Sequence, residues 1–538
     1  ICSIISYRSK QINPLTNIYT EVIIMAKRPD WLDDAVFYEI YPQSFKDTDG
    51  DGIGNINGIT EKLPYIKELG CTAIWINPCF ESPFLDAGYD VSDYCRVAPR
   101  YGTNDDLVRL FEEAHKLGMH VLLDLVPGHT SWEHPWFKES MKADRNEFTD
   151  RYVWTDSVWE EPAGYPSIRG ISERDGSCAI NFFTHQPALN YGFYKPNAPW
   201  QQSMDSEGAV ATREALKDVM RFWLSRGCDG FRVDMAGSLV KNDEDQKGNI
   251  ALWQNIRAFL DEEYPEAAMV SEWGEPYQSL AGGFHMDFLL QFGSSHYNDL
   301  FRNEKPFFSG EGDASTFVSK YMDSYERSER KGLICIPSGN HDMDRLARHI
   351  KGERRKLAFA FLLSMPGAPY IYYGDEIGMN YVEGLNSVEG GYGRTGSRSP
   401  MQWDSSENAG FSSAPAEKLY IPLDPDPDRP TAEKQIAVNN SLRSEVKKLI
   451  AVRQAHKALQ SLGDIEFVCD GAKGRPLAYV RSFDGERILV AVNPTDSACE
   501  LTVGGSLGEV IYSFGSGAEI SGNSCVIGAG SAAFVKLD

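Results

Sequence analysis

Long apolar runs are missing from this 538-residue chain. None approaches the roughly 18 consecutive apolar residues that mark a membrane-spanning helix, so a membrane partner is not expected. Paired cysteines are missing too. The ten cysteines are scattered with no C-x-x-C pair, which indicates neither a zinc site nor a dithiol redox motif and leaves reduced thiols as the expected state. Positive charge is short: 53 Lys+Arg stand against 77 Asp+Glu, a net charge of −24. That balance argues against nucleic acid or an anionic membrane surface as a partner and suits a neutral ligand. A basic leader is also lacking, and the apolar stretch 1–6 is too short for a signal h-region. Met25, followed by Ala26, Lys27 and Arg28, reads as a natural start. Residues 1–24 are therefore expected to be an upstream extension outside the fold, and the location expected is cytoplasmic.

What is present from residue 35 onward is alternation of short apolar runs with helical spacing. Strands are predicted at 35–41, 71–76, 120–126, 228–234, 268–272, 288–292, 333–337 and 368–373. Helices are predicted at 59–69, 104–117 (with Asn104 as cap), 213–226, 249–263, 314–325, 354–363 and 441–456. Eight strands with helices between them predict an α/β fold, a (β/α)8 TIM barrel. Regularity lapses over 129–190, which reads as an insertion (domain B) after strand three. The barrel then occupies 25–128 and 191–457. Over 458–538 short alternating strands at 477–481, 488–493, 499–503, 509–513 and 532–537 predict a small antiparallel β domain.

The polar residues gather at strand ends. In the run Gly230-Phe-Arg-Val-Asp-Met-Ala236, Arg232 and Asp234 share one strand face, about 6–7 Å apart. A cation so placed lowers the carboxyl pKa, and an ionised, oriented carboxylate is what a covalent glycosidase nucleophile requires. Strand three ends in Asp124 and His129, strand five in Glu272-Trp273, and strand seven in Asn340-His341-Asp342. Carboxyl ends of barrel strands converge on one site, so these residues are expected together. Two carboxyls across a sugar bond, one ionised and one protonated, are the working pair of glycoside hydrolysis. Asp234 suits the nucleophile. Glu272, beside apolar Val270 and Trp273, suits an acid and then base with a raised pKa. Asp342 would grip sugar hydroxyls, and His129 and His341 would donate hydrogen bonds to the same ring.

These four strand ends resemble the signature regions of the α-amylase superfamily, glycoside hydrolase family 13. Asp124-Leu-Val-Pro-Gly-His129 looks like the first region and Gly230-Phe-Arg-Val-Asp234 the second; Glu272 looks like the third and Asn340-His-Asp342 the fourth. The resemblance runs from about residue 33 to the end of the chain. It implies a retaining mechanism at α-glucosidic bonds with Asp234, Glu272 and Asp342 as the triad. Gly88-Tyr89-Asp90 matches the family as well, and implies that Tyr89 stacks on the sugar. Gln186-Pro-Ala-Leu-Asn190, Thr130-Ser-Trp-Glu-His-Pro-Trp-Phe137 and Arg398-Ser-Pro-Met-Gln-Trp-Asp404 resemble motifs of the oligo-1,6-glucosidase group, with Ala188 replacing that group's acid. In such enzymes the counterparts of Asp90 and Arg398 hold the non-reducing end, which closes the pocket behind one glucose and favours exo action.

The loop Asp47-Thr-Asp49-Gly-Asp51-Gly-Ile53-Gly-Asn55 sets oxygen ligands alternately around glycines, as a hard cation needs. It resembles the group's metal loop, so structural Ca2+ on Asp47, Asp49, Asp51, Ile53 and Asn55 is expected, with Mg2+ as the alternative and no organic cofactor. Gly128 stands where the family's Asn ligates a second calcium near the cleft, so that ion is not expected. Met235-Ala236 departs from the group's Val-Ile pair on the aglycone side, leaving α-1,4 against α-1,6 preference open. The expected function is an exo-acting α-glucosidase on short oligosaccharides, monomeric or homodimeric. The alternatives are a transglycosylase or isomerase on the same scaffold, and an endo-acting α-amylase. A non-catalytic family member would lose triad residues, and this chain keeps all three.

Overall fold

Strands with no polar face need cover on both sides, and the eight barrel strands are built that way. β1 (Phe37–Ile40), β2 (Ala73–Ile76), β3 (His120–Leu125), β4 (Gly230–Val233), β5 (Ala268–Ser271), β6 (Met286–Phe288), β7 (Leu333–Cys335) and β8 (Tyr370–Tyr372) are buried along nearly their whole length. In this computed structural model, which describes residues 28–162 and 164–538, they pair in parallel in the order β7-β6-β5-β4-β3-β2-β1-β8. A parallel bridge from Pro337 to Tyr370 brings the two ends of the sheet together. The fold is the (β/α)8 barrel. The expected extension over 1–24 and the start at Met25 lie outside the described residues.

Register decides which polar side chains become neighbours. Asp124 on β3 pairs with Arg232 on β4, Val233 with Ser271 on β5, and Ser271 with Asp287 on β6. β4 can begin where it does because Gly230 takes a φ of +142°; a Cβ there would meet the Ala268 carbonyl oxygen at 2.0 Å.

Two local expectations are corrected. β6 covers Met286–Phe288 rather than 288–292. Leu289 and Leu290 are buried beyond its end, so apolar character continues past the strand and does not mark where it stops. The helix Asn104–Lys116 is capped by Thr103, not Asn104, through a capping box with Asp106. Asn104 instead accepts from Val97 N at 2.8 Å and donates to the Cys95 carbonyl at 2.9 Å.

Residues 129–190 hold a short helix, Pro135–Ser140, and a hairpin of Ser167–Arg169 with Ser177–Ala179. The segment 186–190 runs against both Leu189-facing Tyr152 and Ala188-facing His129. The C-terminal part has a five-stranded antiparallel sheet and a three-stranded one. Three of its strands, Asp464–Asp470, Ala518–Ser521 and Ser524–Ile527, go beyond those predicted; the last two are four residues each, too short for a repeat of two to mark them. Among the described residues no helix is long and apolar enough to cross a membrane.

Candidate active site

β3, β4 and β5 deliver three carboxylates to one guanidinium. Arg232, fully buried, reaches Asp124 Oδ1 at 2.9 Å, Asp234 Oδ1 at 3.0 Å and Glu272 Oε2 at 2.7 Å. Sequence alone paired Arg232 with Asp234 and expected an ionised acid. With the cation shared three ways, burial dominates. It pushes the Asp234 carboxyl well above the usual range against the pull of Arg232, and the negative charges of Glu272 and Asp124 push the same way. Burial likewise raises Asp124 to about 6. The Met235 N–H donates to Glu272 Oε2 at 3.2 Å, from a backbone held at φ 43°, a left-handed conformation that a side-chain-bearing residue adopts only under constraint.

Asp342 stands on a different set of charges. Arg394 Nη1 and Arg398 Nη2 both reach its Oδ1, at 2.7 and 2.9 Å. Burial opposes ionisation, but the fields of His341, Arg394 and Arg398 outweigh it and hold the carboxyl well below its ordinary value. Burial pushes His341 itself down to about 3, so at neutral pH the guanidiniums are the cations facing Asp342. Asp234, Glu272 and Asp342 share a cavity of about 380 Å³ with Tyr89, and Phe182 and Phe292 form an exposed aromatic rim.

Tyr89 lies face to face with His341, centroids 5.4 Å apart and planes 14° apart. Its hydroxyl is 2.7 Å from His341 Nε2 and 3.1 Å from Asp124 Oδ2.

Two buried acids on one guanidinium, a third acid held by two arginines, and a stacked Tyr–His pair in the same cavity are the arrangement the sequence motifs imply, and comparison with known proteins decides the family. The family described as "Alpha amylase, catalytic domain" matches residues 39–461. The chain belongs to the α-amylase family. It is 33% identical to a probable alpha-glucosidase of Rhizobium meliloti (strain 1021), over 87% of this chain and 90% of that protein. It is 32% identical to the trehalose synthase/amylase TreS of Mycobacterium tuberculosis (strain CDC 1551 / Oshkosh), over 86% and 82%. Among solved structures, a trehalulose synthase in complex with Tris superposes with a TM-score of 0.79 at 28% identity, over 94% of this chain and 100% of that one. The chain is therefore an enzyme of the α-amylase family of glycoside hydrolases, and its relatives include proteins named as hydrolases and as synthases.

Several expected family residues sit elsewhere than anticipated. Asp90 is fully buried, and its carboxylate accepts from Ser82 Oγ, Leu85 N and Asp86 N at 2.9, 3.0 and 3.1 Å. It braces a loop and is not on the cavity wall. Asp86 is on that wall, with Arg394 and Arg398. Gln186 Nε2 donates to Asp86 at 2.7 Å, and burial raises Asp86 to about 6. Sequence reading missed both Asp86, three residues before Tyr89, and Arg394, four before Arg398. The two histidines do not offer the expected free N–H groups. His129 Nε2 donates to the Tyr89 carbonyl and Nδ1 accepts from Asn181, each at 3.0 Å. His341 Nδ1 lies 2.9 Å from Glu39 Oε1 and its Nε2 is taken by Tyr89. At Gly128 a Cβ would come 2.9 Å from Asn181 Nδ2, so the room left by that glycine is filled by the group that orients His129.

At the metal loop, oxygens of Asp47, Asp49 and Asp51 lie within 4.8 Å of one another. Three hard oxygen donors at that spacing fit Ca2+. Asp47 Oδ1 also accepts from Asp49 N and Gly50 N, and Asp51 Oδ1 accepts from Ile53 N, which shapes the loop. Asn55 is outside the cluster. Its Oδ1 accepts from Gly58 N at 2.8 Å as a helix cap and from Thr48 Oγ1 at 2.9 Å.

Proposed function

We propose that this enzyme transfers α-glucosyl units from short oligosaccharides by a retaining, exo-acting mechanism, with water as its principal acceptor. The observation that carries the reading is the placement of Asp234 and Glu272 on one guanidinium in a cavity whose wall bears Asp86, Arg394 and Arg398. Asp234 and Glu272 meet on the same guanidinium, and the reactive form is the one in which Glu272 carries a proton and Asp234 is ionised. Glu272 gives that proton to the leaving oxygen as Asp234 attacks the anomeric carbon, forming a covalent glucosyl ester and releasing the aglycone alcohol. Glu272 then takes a proton from the incoming hydroxyl, which displaces Asp234. Asp342, kept ionised by its arginines, accepts hydrogen bonds from ring hydroxyls as they become more acidic near the oxocarbenium-like transition state. Tyr89 offers its ring to the same sugar, and Asp86 with Arg398 recognises the non-reducing end. That recognition disfavours an endo-acting amylase, whose substrate must run past this wall.

A second reading is that a sugar replaces water as acceptor, as in a synthase or isomerase. The kinship with proteins named trehalose synthase and trehalulose synthase favours it, and only the final acceptor differs. Asp47, Asp49 and Asp51 would hold a Ca2+ ion that cross-links the loop and takes no part in the chemistry.

A product time course on maltose, isomaltose, maltotriose, trehalose, sucrose and soluble starch tests these readings. Glucose from one or two disaccharides, with starch nearly untouched, is the expected result. New disaccharides with little free glucose would move the assignment to the second reading, and rapid starch cleavage would overturn exo action. Asp234→Ala should abolish turnover while leaving the fold intact by circular dichroism.

A further inference from the structure

Asp287, in β6, is a fully buried acid that none of these roles uses. Its Oδ1 accepts from Ser271 Oγ at 2.6 Å and from Trp273 N at 3.1 Å. Those two donors flank Glu272. The contact follows from register, since Asp287 pairs with Ser271 across β6 and β5. The Ser271 hydroxyl is also 2.5 Å from Ser279 Oγ, so the residue before Glu272 is tied to the short helix Pro276–Ala281 as well. On its other side the turn has no slack. A Cβ at Gly237 would come 2.6 Å from Trp273 Nε1, so the Trp273 ring lies directly against the backbone that follows Asp234.

A single oxygen thus collects the donors on both sides of Glu272. An apolar side chain in its place would leave the Trp273 N–H unpaired and the Ser271 hydroxyl with only Ser279 Oγ and the Met286 carbonyl as partners, and the turn would reorganise to satisfy the stranded N–H. A shift of about 1 Å in a catalytic group can cost about 10²-fold in rate.

We infer that Asp287 is a positioning residue for Glu272: its Oδ1 fixes where the Ser271–Trp273 turn leaves β5 and so aims Glu272 at the leaving-group oxygen. The inference rests on the reading of Glu272 as the proton donor. What the role needs is an acceptor, not a charge. Burial pushes Asp287 up to about 8, so the neutral acid is the form present at neutral pH, and an amide carries the same acceptor.

The test compares Asp287→Leu with Asp287→Asn on a cleaved disaccharide and on 2,4-dinitrophenyl α-glucoside, whose leaving group departs without protonation. Asp287→Leu should lose about 10²-fold in kcat/KM on the disaccharide, mostly in kcat, and under about 10-fold on the activated glucoside. Asp287→Asn should keep most of both activities. Equal losses of Asp287→Leu on both substrates would overturn the inference, as would an Asp287→Asn as impaired as the leucine variant. If Asp287→Leu does not fold, Ser271→Ala removes one of the two donors and should show a smaller loss with the same leaving-group bias; no bias there would refute the role. Glu272→Gln run in parallel separates the two claims. If it lacks a bias toward the activated glucoside, the reading of Glu272 as proton donor fails, whatever Asp287 does.

Discussion

Arg398 Nη2 donates to Asp342 Oδ1 at 2.9 Å, and its Nε donates to the His341 carbonyl at 2.8 Å. The arginine that the sequence assigns to sugar recognition therefore first holds one of the enzyme's own acids. Its loss should act on Asp342 as well as on substrate. With Arg398→Gln, burial is opposed by one cation fewer, so the Asp342 carboxyl protonates at a higher pH. The acid limb of the kcat/KM profile should move toward neutrality, and activity at its optimum should fall by an amount equivalent to about 2–5 kcal/mol. An unmoved acid limb would show that Arg394 alone keeps Asp342 ionised.

Asp86 and Asp90 are four residues apart and have opposite expected signatures. Asp86→Asn should cut kcat/KM on disaccharides by roughly 10²-fold or less, equivalent to about 1–3 kcal/mol, with little change in melting temperature. Asp90→Ala strands two backbone N–H groups and the Ser82 hydroxyl, so its main effect should be a lower melting temperature. Thermal unfolding and kinetics of the two variants, side by side, decide which acid braces and which binds.

Chelation addresses the 47–51 loop. A cation bound only by the folded state at 100 times its dissociation constant stabilises by about 2.7 kcal/mol. EDTA should lower the melting temperature of the wild type and Ca2+ should restore it, while Asp49→Ala should respond to neither. Initial rates at 25 °C should be the same with and without the ion, as the proposed structural role requires.

The titration of Asp287 makes a stability prediction independent of activity. Its pKa is raised by burial from an ordinary 3.8 to about 8. Between those values the native state keeps a proton that the unfolded chain has released. The stability it contributes is full below about pH 4 and is lost as pH rises through 8. Asp287→Asn removes that dependence. Its unfolding free energy relative to wild type should therefore climb from pH 5 to pH 8 and level off above, as measured by urea unfolding at each pH. A difference flat with pH would mean that Asp287 is already ionised at pH 5.

Much of this was legible in the residues because it is local. Apolar runs of four to six residues between helical stretches predict barrel strands whatever lies beyond them, and seven of the eight fall where the alternation puts them. The motif acids Asp234, Glu272 and Asp342 are legible for the same reason: the first two directly follow β4 and β5, the third lies in the loop after β7, and parallel strands of one barrel bring their ends to one place. Asp287 was not legible, nor was the exchange of Asp86 for Asp90, nor the sharing of Arg232 among three acids. Those depend on which atoms meet across β3 to β6 and on how residues 181–190 fold back over Asp86 and His129. An acid's neighbours at 3 Å come from distant segments, 108 residues away for Asp124 and Arg232 and 302 for Glu39 and His341, and burial and charge then set its protonation. The same Arg-x-Asp spacing is an ionised pair in isolation. In the folded barrel it is one edge of a three-acid cluster, because two further carboxylates reach the one guanidinium.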